Sequence, residues 1–332
     1  MPSAKSASKV LVTGAGGFIG HHLVSFLRDQ GHWVRGVDVK LPEFGRSDAD
    51  DFQLLDLRRW ENCLRATEGM DEVYALAADM GGMGFISANH AQILHNNALI
   101  NLHTLEAARV NQVRRYLYTS SACIYPEYRQ TETDCKPLKE EEAYPAAPQD
   151  AYGWEKLITE RLCTHYREEY GFETRIVRFH NIFGPMGTWD GGREKAPAAL
   201  CRKIAHAKLA GNHEIEIWGD GEQTRSFCYI DDCVFGLHKL MRSDFGEPLN
   251  LGQDRMVTIN QLADMIAAIA GISVRKVHVP GPQGVRGRNS DNARLRQVLG
   301  WEPAISLEDG LARTYRWIEE QVRKTISVPV AM

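Results

Sequence analysis

The sequence has no long hydrophobic run, no regularly spaced cysteine pairs and no marked excess of one charge. Its apolar stretches fall well short of the about 18 residues that a transmembrane helix needs. The N-terminal segment, MPSAKSAS, is polar and lacks the apolar core of a secretory signal. The seven cysteines form no CxxC pair, and their odd number disfavours a disulfide framework as well as a zinc site. These absences predict a cytoplasmic protein with free thiols and no bound metal.

The charge balance also excludes some partners. Lys and Arg total 39 and Asp and Glu total 43, which gives a net charge of −4. Such a balance provides no basic surface for nucleic acid or for an anionic membrane, so we expect neither as a partner. The 332 residues, 43% of them hydrophobic, suffice for about two domains.

Strand-like and helix-like segments alternate through the first half of the chain. The predicted strands are 9–13, 33–39, 72–77, 115–120 and 174–180, and the predicted helices are 18–30, 88–110 and 151–170. This alternation predicts an α/β protein with a Rossmann-type, doubly wound parallel sheet. After residue 183 the pattern becomes irregular, which indicates a smaller α/β lobe. Two later strand-like pieces, Arg225–Ile230 and Pro248–Leu251, are expected to return to the main sheet, so the two lobes would be interleaved.

A glycine-rich turn joins the first predicted strand to the first predicted helix. Gly14, Gly17 and Gly20 allow a tight turn, close approach of a pyrophosphate and tight packing of the helix on the strand. Phe18 and Ile19 begin the helix, and their N–H groups would face the phosphates. The turn therefore predicts a dinucleotide-binding site.

An acidic residue at the end of the second strand bears on which dinucleotide binds. Asp38 would accept hydrogen bonds from a ribose diol and repel a 2′-phosphate, which favours NAD over NADP. Arg35 and Lys40 lie close by in the sequence and leave NADP open. Asp56 and Leu57 follow another strand-like run and are candidates for contact with the adenine.

A tyrosine and a lysine share one face of the predicted helix 151–170. Tyr152 and Lys156 are four residues apart, and a lysine cation beside a phenol lowers the pKa of that phenol. The phenolate could then remove a hydroxyl proton while hydride leaves the same carbon for NAD. The spacing alone is common, but here it follows Ser120 and Ser121 by about 30 residues and the glycine turn by about 140.

With these motifs in place, the chain resembles the extended short-chain dehydrogenase/reductases of the nucleotide-sugar epimerase and dehydratase group. The resemblance runs from about residue 9 to residue 321. The blocks that carry it are 77–85 (AADMGGMGF), 120–126 (SSACIYP), 148–153 (PQDAYG), 178–182 (RFHNI), 191–197 (GGREKAP), 218–221 (WGDG), 223–227 (QTRSF) and 284–292 (GVRGRNSDN). Within the group they are most similar to the branch that epimerises GDP-mannose at C3″ and C5″, to GDP-L-galactose or, with C5″ alone inverted, GDP-L-gulose.

The resemblance implies a cofactor, a substrate and a domain division. NAD would be regenerated in each turnover and stay tightly bound, the substrate would be a GDP-sugar, and the chain would form a homodimer. Residues 1–182, with returning segments at about 226–251, would form the NAD-binding Rossmann domain. Residues 183–225 and 252–332 would form the nucleotide-sugar-binding lobe. Helices near 88–110 and 151–170 are candidates for the dimer interface.

The resemblance also implies catalytic roles. Tyr152 and Lys156 would oxidise C4″ and reduce it again, while Ser121 would hydrogen-bond the reacting hydroxyl. Cys123 would remove the protons at C3″ and C5″, and Lys195 would supply a proton from the opposite face. A thiol titrates near neutrality when it is tuned, which suits the first of these tasks. The competing expectations are a small buried hydrophobe for Cys123 and a solvated lysine for Lys195.

The substrate contacts are implied in the same way, by position in the blocks. They are Gly81, Ser121, Asn181, Glu194, Lys195, Lys203, Gln223, Arg225, Arg286 and Arg288. Residue chemistry alone does not rank Arg286 against Arg288, and the match of the block favours Arg288. His180 falls in a predicted strand, so we expect it to pack rather than to catalyse.

Three other functions stay open. A 4,6-dehydratase carries a carboxylate two or three residues after the strand serine, whereas Ala122-Cys123-Ile124 has none. A simple 4-epimerase needs only the tyrosine and lysine and has no use for Cys123 with Lys195. A Rossmann-fold protein that only binds or regulates would be expected to have lost Tyr152 or Lys156, and both are present.

Overall fold

The structure is a computed structural model that describes residues 7–327. Its strands are β1 (Lys9–Thr13), β2 (Trp33–Asp38), β3 (Asp51–Leu54), β4 (Glu72–Ala75), β5 (Arg115–Ser121), β6 (Glu173–Phe179), β7 (Ile182–Phe183), β8 (Glu214–Trp218), β9 (Thr224–Ser226), β10 (Cys228–Tyr229), β11 (Pro248–Leu251), β12 (Met256–Thr258), β13 (Arg275–Val279) and β14 (Gly287–Arg288). Its α-helices are α1 (Phe18–Asp29), α2 (Trp60–Thr67), α3 (Met83–Ala88), α4 (His90–Val110), α5 (Ala151–Tyr170), α6 (Ala196–Ala210), α7 (Ile230–Arg242), α8 (Ile259–Ala270), α9 (Ala293–Leu299) and α10 (Leu307–Ser327).

The main sheet has seven parallel strands in the order β11-β6-β5-β4-β1-β2-β3. This arrangement confirms the predicted doubly wound fold. The strand order reverses between β1 and β4, and ligands of such sheets bind at the carboxyl ends of the strands beside that reversal. Within the described residues, no helix is long and apolar enough to cross a membrane.

The sheet is covered on both faces, which explains the apolar strands. Val10 and Val12 of β1 face one hydrophobic cluster, together with α1 and α7, and Leu11 between them faces another, with α2, α4 and α5. Parallel strands that are buried on both faces read as continuous apolar runs, as β1 does. The first cluster continues into α6, α8 and α10, so these helices share a core with one face of the sheet.

The predicted return of two strands to the main sheet is half right. Pro248–Leu251 joins it as β11, parallel to β6. The segment predicted as Arg225–Ile230 does not: β9 pairs with β12 and β14, and β10 pairs with β7. The edge of the main sheet beside β6 is occupied by β11, and the segment 224–229 pairs with short strands outside that sheet.

A short helix that was not predicted precedes the expected helix 88–110. The expected helix 88–110 is α4, and a separate short helix, α3, precedes it. Asn89 between them has a non-helical backbone (φ −133°, ψ 38°), and its side-chain amide donates to the Phe85 carbonyl. The break separates α4 from α3, whose Phe85 and Ile86 pack in one cluster with Tyr152.

Candidate active site

The glycine turn after β1 leaves no room for side chains at two positions. A Cβ on Gly20 would lie 2.1 Å from the Gly14 carbonyl oxygen, and one on Gly16 would lie 2.2 Å from the Lys40 carbonyl oxygen. Gly14 has a φ of 72°, in the left-handed region that favours glycine. A role for Gly16 was not predicted. A side chain there would clash with the backbone that follows β2, and the spacing of the other glycines does not show this.

The start of α1 is open to an anion. Gly17 caps the helix without a side-chain hydrogen bond, and the first turn contains no acidic residue. The unpaired N–H groups and the positive end of the helix dipole at Phe18 and Ile19 therefore attract negative charge. Each of these residues lies where the sequence predicts it.

Asp38 connects the end of β2 to the glycine turn. Its Oδ2 accepts a hydrogen bond from the Gly16 N–H at 3.0 Å, and its Oδ1 accepts one from the Val39 N–H at 2.6 Å. Burial raises the pKa of this carboxyl, although these bonds oppose the effect. Asp56 is instead paired with Arg58 at 2.7 Å, and the Leu57 side chain is buried in the core. Contact of these two with adenine stays a prediction.

Helix α5 brings Tyr152 and Lys156 to the end of β5. The helix begins where Asp150 accepts a hydrogen bond from the Gly153 N–H at 2.8 Å. The Lys156 Nζ donates to the Thr119 carbonyl at 3.0 Å and lies 5.5 Å from the centre of the Tyr152 ring. Both side chains are almost completely buried.

The electrostatics of this pair differ from the expectation. Burial raises the pKa of Tyr152 well above its ordinary value, and a hydrogen bond from Ser121 opposes this only in part. Burial likewise lowers the pKa of Lys156, against the field of Glu155. Desolvation of the buried phenol therefore gives its pKa the opposite direction to the expected one.

Cys123 lies in a 3₁₀ turn, Ala122–Ile124, directly after β5. The turn is held by Ser121, whose Oγ accepts the Cys123 N–H at 3.1 Å. A Cβ on Gly153 would lie 2.2 Å from the Cys123 carbonyl oxygen, so only glycine lets α5 approach this turn so closely. Cys123 is partly buried, and the Arg288 Nη1 donates to its sulfur at 3.2 Å. It is thus more accessible than the competing interpretation, a small buried hydrophobe, requires.

Lys195 precedes α6 and occupies its N-cap position. Its side chain reaches solvent, yet surrounding protein desolvates it and lowers its pKa. The backbone just before Lys195 touches Gly82 at the start of α3, and Phe85 of that helix packs with Cys123 against the cluster that contains Tyr152. An ammonium that is both accessible and desolvated gives up its proton more readily than an ordinary lysine.

Two arginines form a cationic site beside the cysteine. Arg225 on β9 and Arg288 on β14 are register partners, and among the described residues neither is within ion-pair distance of a carboxylate. Burial, together with repulsion from Arg288, lowers the pKa of Arg225. Arg286 differs because Asp220 binds it through both guanidinium nitrogens, at 3.0 and 3.1 Å. The unneutralised pair is the better anion site.

Like Arg225, which donates to three backbone carbonyls, and Arg288, which donates to Gln130, the other predicted contacts are hydrogen-bonded within the protein. Asn181 donates to the Ser226 carbonyl at 2.8 Å, and Gln223 donates to the Trp218 carbonyl. Lys203 donates to the Glu216 carbonyl at 2.7 Å and lines an open groove of about 320 Å³ between α6 and β8.

Glu194 and Gly81 are the last two substrate contacts that the resemblance implies. Glu194 accepts from the Arg202 guanidinium at 2.7 Å, whereas Gly81 is buried before α3. His180 is completely buried, its Nε2–H donates to the Asn250 Oδ1 at 3.0 Å, and burial lowers its pKa to about 3. The prediction that it packs is confirmed.

The fold and the site together define a class. The chain belongs to the NAD dependent epimerase/dehydratase family, whose model matches residues 10–252. It is an NAD-dependent epimerase, and NAD is its cofactor.

Comparisons with individual proteins are more specific. The chain is 54% identical over 318 residues to the GDP-mannose 3,5-epimerase of Arabidopsis thaliana, covering 95% of this chain and 83% of that protein. It is 30% identical over 329 residues to the GDP-L-fucose synthase of Escherichia coli, covering 95% and 98%. The structure of UDP-glucose 4-epimerase from Thermotoga maritima superposes with a TM-score of 0.84 at 28% identity, covering 96% of this chain and 100% of the other.

The glycine turn fits NAD on its own geometry. At Gly16 and Gly20 backbone packs on backbone with no room for a side chain, which gives the tight turn and close helix–strand packing of a dinucleotide-binding site. The uncapped start of α1 supplies N–H donors for the phosphates. Asp38 stands at the end of β2, where a ribose diol would donate to its carboxylate.

Proposed function

We propose that the chain epimerises GDP-mannose at C3″ and C5″, through transient oxidation at C4″, to GDP-L-galactose, or to GDP-L-gulose when C5″ alone is inverted. One observation supports this function above the alternatives. Cys123 packs against the cluster that contains Tyr152, and the residue before Lys195 touches Gly82 at the start of α3, whose Phe85 joins the same cluster. A group able to remove a proton and a group able to return one would thus both lie near the redox pair. A simple 4-epimerase needs neither Cys123 nor Lys195.

The first step concerns acidity. A hexose C–H is not acidic, whereas a ketone at C4″ acidifies the protons on C3″ and C5″. The glycine turn, the start of α1 and Asp38 would hold NAD, which would supply hydride transfer from and back to C4″. Tyr152 takes the proton of the C4″ hydroxyl. Ser121, which is hydrogen-bonded to Tyr152, orients that hydroxyl. Lys156, held by the Thr119 carbonyl, supplies the positive charge that favours phenolate over phenol.

The second step is the epimerisation itself. The Cys123 thiolate removes the proton from C5″ or C3″ and leaves an enolate. The Lys195 ammonium then delivers a proton to the same carbon from the opposite face, which inverts it. The lowered pKa of Lys195 makes that delivery easier, because its ammonium group is then a stronger acid. Reduction at C4″ completes the sequence.

The substrate would lie across both lobes. Arg225 and Arg288 would hold the diphosphate, because they carry buried charge without a carboxylate partner. Residues 1–182 with about 226–251 would bind NAD, and 183–225 with 252–332 the nucleotide sugar. The remaining proposed contacts are Gly81, Asn181, Glu194, Lys203, Gln223 and Arg286.

We also propose a homodimer, in a reducing compartment such as the cytoplasm that keeps Cys123 a free thiol. The outer faces of α4 and α5 expose Leu94, Leu102, Trp154 and Ile158, and these two helices pack side by side. Ile158, at 60% exposure, is the best single probe. We expect Ile158→Asp to convert a dimer to a monomer in sedimentation velocity. A wild-type monomer at micromolar concentration would contradict the proposal.

The deciding experiment for the function uses deuterated water. With GDP-mannose, wild-type protein should introduce deuterium at C3″ and C5″, observed by proton NMR of the sugar. Cys123→Ala should abolish that exchange while NAD stays bound, whereas Cys201→Ala, which removes a buried thiol of α6, should retain it. Deuterium at neither carbon with inversion at C4″ alone would establish a 4-epimerase, and loss of water from the sugar a dehydratase.

A further inference from the structure

The residues 191–195 form a short segment that carries Lys195 into α6. Gly191 and Gly192 open it with φ values of 85° and 84°, a conformation that only glycine adopts without strain. Lys195 closes it as the N-cap of α6. A segment that begins with two such glycines has little rigidity of its own, so contacts with its surroundings must fix where the Lys195 ammonium lies.

The contacts of the segment are with the start of α3. The Gly82 N–H donates to the Arg193 carbonyl at 3.0 Å. A Cβ on Gly82 would lie 2.5 Å from the Glu194 carbonyl oxygen, so the two chains touch backbone to backbone. The Arg193 guanidinium lies 3.8 Å from the centre of the Phe85 ring and donates to Asp79 Oδ1 at 3.2 Å. Arg193 is thus attached at its backbone and at its side chain.

Asp79 is itself fixed to the redox pair. Its second carboxylate oxygen accepts from the Asn96 amide at 3.1 Å. Asn97 accepts from the Asp79 N–H at 2.6 Å and donates to the Asp79 carbonyl and to Glu155, at 3.1 and 2.9 Å. Glu155 lies 3.9 Å from the Lys156 ammonium. A continuous chain of polar contacts therefore runs from Lys156 to Arg193.

We propose that Arg193 is a positioning residue that holds the Lys195 ammonium on the sugar face opposite Cys123, with Asp79 and Phe85 as its anchors. This inference rests on the proposed function, because it concerns the return of a proton to C5″ or C3″. An exposed ion pair alone contributes little. Here the planar guanidinium also stacks on an aromatic ring, and the backbone adds a hydrogen bond, so the three contacts act together.

The proposal predicts different effects on the rates of deuterium exchange and of inversion, whereas an ordinary loss of stability would lower both rates together. Cys123 removes the proton without help from the segment, so deuterium entry at C5″ continues when Arg193 is replaced. Delivery from the opposite face needs Lys195 in place, so inversion falls. A displacement of about 1 Å costs on the order of 100-fold in such a step. We expect Arg193→Gln to lower the ratio of inversion to exchange at C5″ by roughly 10- to 100-fold.

The experiment measures that ratio in deuterated water with GDP-mannose, on variants that retain wild-type NAD content. Arg193→Lys keeps the charge but loses the planar stack, so its ratio should lie between those of Arg193→Gln and wild type. If Arg193→Gln does not fold, the ratio measured for Arg193→Lys tests the proposal in its place. The matched control is Arg313→Gln, which removes another exposed arginine, 3.3 Å from Asp231 and beside the Tyr229 ring, and should leave the ratio unchanged.

The outcomes distinguish this inference from the proposed function. Absence of exchange at both carbons in wild-type protein overturns the proposed function itself. Exchange in wild type, with inversion and exchange falling by the same factor in the Arg193 variants, overturns only the positioning role. An unchanged ratio in Arg193→Lys and Arg193→Gln does the same. A selective fall in inversion supports it.

Discussion

The buried ion pair between Arg178 of β6 and Glu160 of α5 gives a prediction whose size can be worked out. The two side chains are 2% and 3% exposed, and two hydrogen bonds of 2.9 and 2.7 Å join them. Arg178 also donates to the Glu140 carbonyl at 2.7 Å, and Glu160 accepts from the Ser120 hydroxyl. The pair therefore lies directly behind the end of β5. The perturbation is Arg178→Met, which preserves most of the volume and removes the charge.

The expected loss of stability has two sources. The Glu160 carboxylate stays buried with Ser120 as its remaining donor, which costs about 3–5 kcal/mol. The Glu140 carbonyl loses its donor, which costs about 1–3 kcal/mol. For 332 residues the unfolding entropy is roughly 0.7 kcal/mol per degree, so the combined loss lowers Tm by roughly 6–11 °C.

Differential scanning calorimetry with saturating NAD measures this shift. Arg296→Met is the matched control, because its partner Glu302 lies 2.8 Å away but both side chains are about half exposed. An exposed pair is worth less than about 1 kcal/mol, so this control should lower Tm by at most about 1–2 °C. The double variant Arg178→Met/Glu160→Leu removes the stranded charge and should be more stable than Arg178→Met alone. Equal shifts for Arg178→Met and Arg296→Met would refute the reasoning.

Three other predictions follow from single sites. Gly20→Ala should weaken NAD binding at least about tenfold, seen as loss of NAD from the purified protein, because its Cβ would lie 2.1 Å from the Gly14 carbonyl oxygen. His180 has a folded pKa of about 3, below the unfolded value near 6.5, so stability should fall by about 1.4 kcal/mol per pH unit as pH drops below 6.5. Urea unfolding should show that this loss is absent in His180→Gln. Arg225→Gln should raise the KM for the nucleotide sugar more than Arg286→Gln, because Asp220 already neutralises Arg286.

Local patterns predicted the elements whose ends are set by their own residues. The helix predicted for 151–170 is α5 with those bounds, because Asp150 caps its start and Gly171, with a φ of 66°, ends it in the left-handed conformation. The first strand likewise matches Lys9–Thr13, since its apolar run is bounded by the glycine turn. Such signals lie within a few residues of the feature that they determine.

Pairing between distant segments could not be predicted in this way. A short apolar segment fits several neighbours, and which one it takes depends on the edges that other strands leave free. Thr224–Ser226 lies in the small sheet, between β12 and β14.

The candidate site contains residues that were predicted from the sequence and others that only the structure revealed. Family blocks identified Ser121, Cys123, Tyr152 and Arg288, and the structure brings these four together. The net pKa of Tyr152 was predicted with the wrong direction, because desolvation depends on how much protein surrounds the phenol. Arg193 carried no local chemical signal, since its partners Asp79 and Phe85 are more than 100 residues earlier in the chain.

Because of how the cysteines are distributed, alkylation can measure the number of intact proposed active sites. All seven are free, and burial raises the pKa of six of them: Cys63, Cys135, Cys163, Cys201, Cys228 and Cys233. Only Cys123 is not buried. An alkylating reagent such as iodoacetamide should therefore consume one equivalent per native chain and seven after unfolding. Substrate that covers the cleft should slow the first equivalent, so the same reagent reports occupancy as well as the concentration of intact sites.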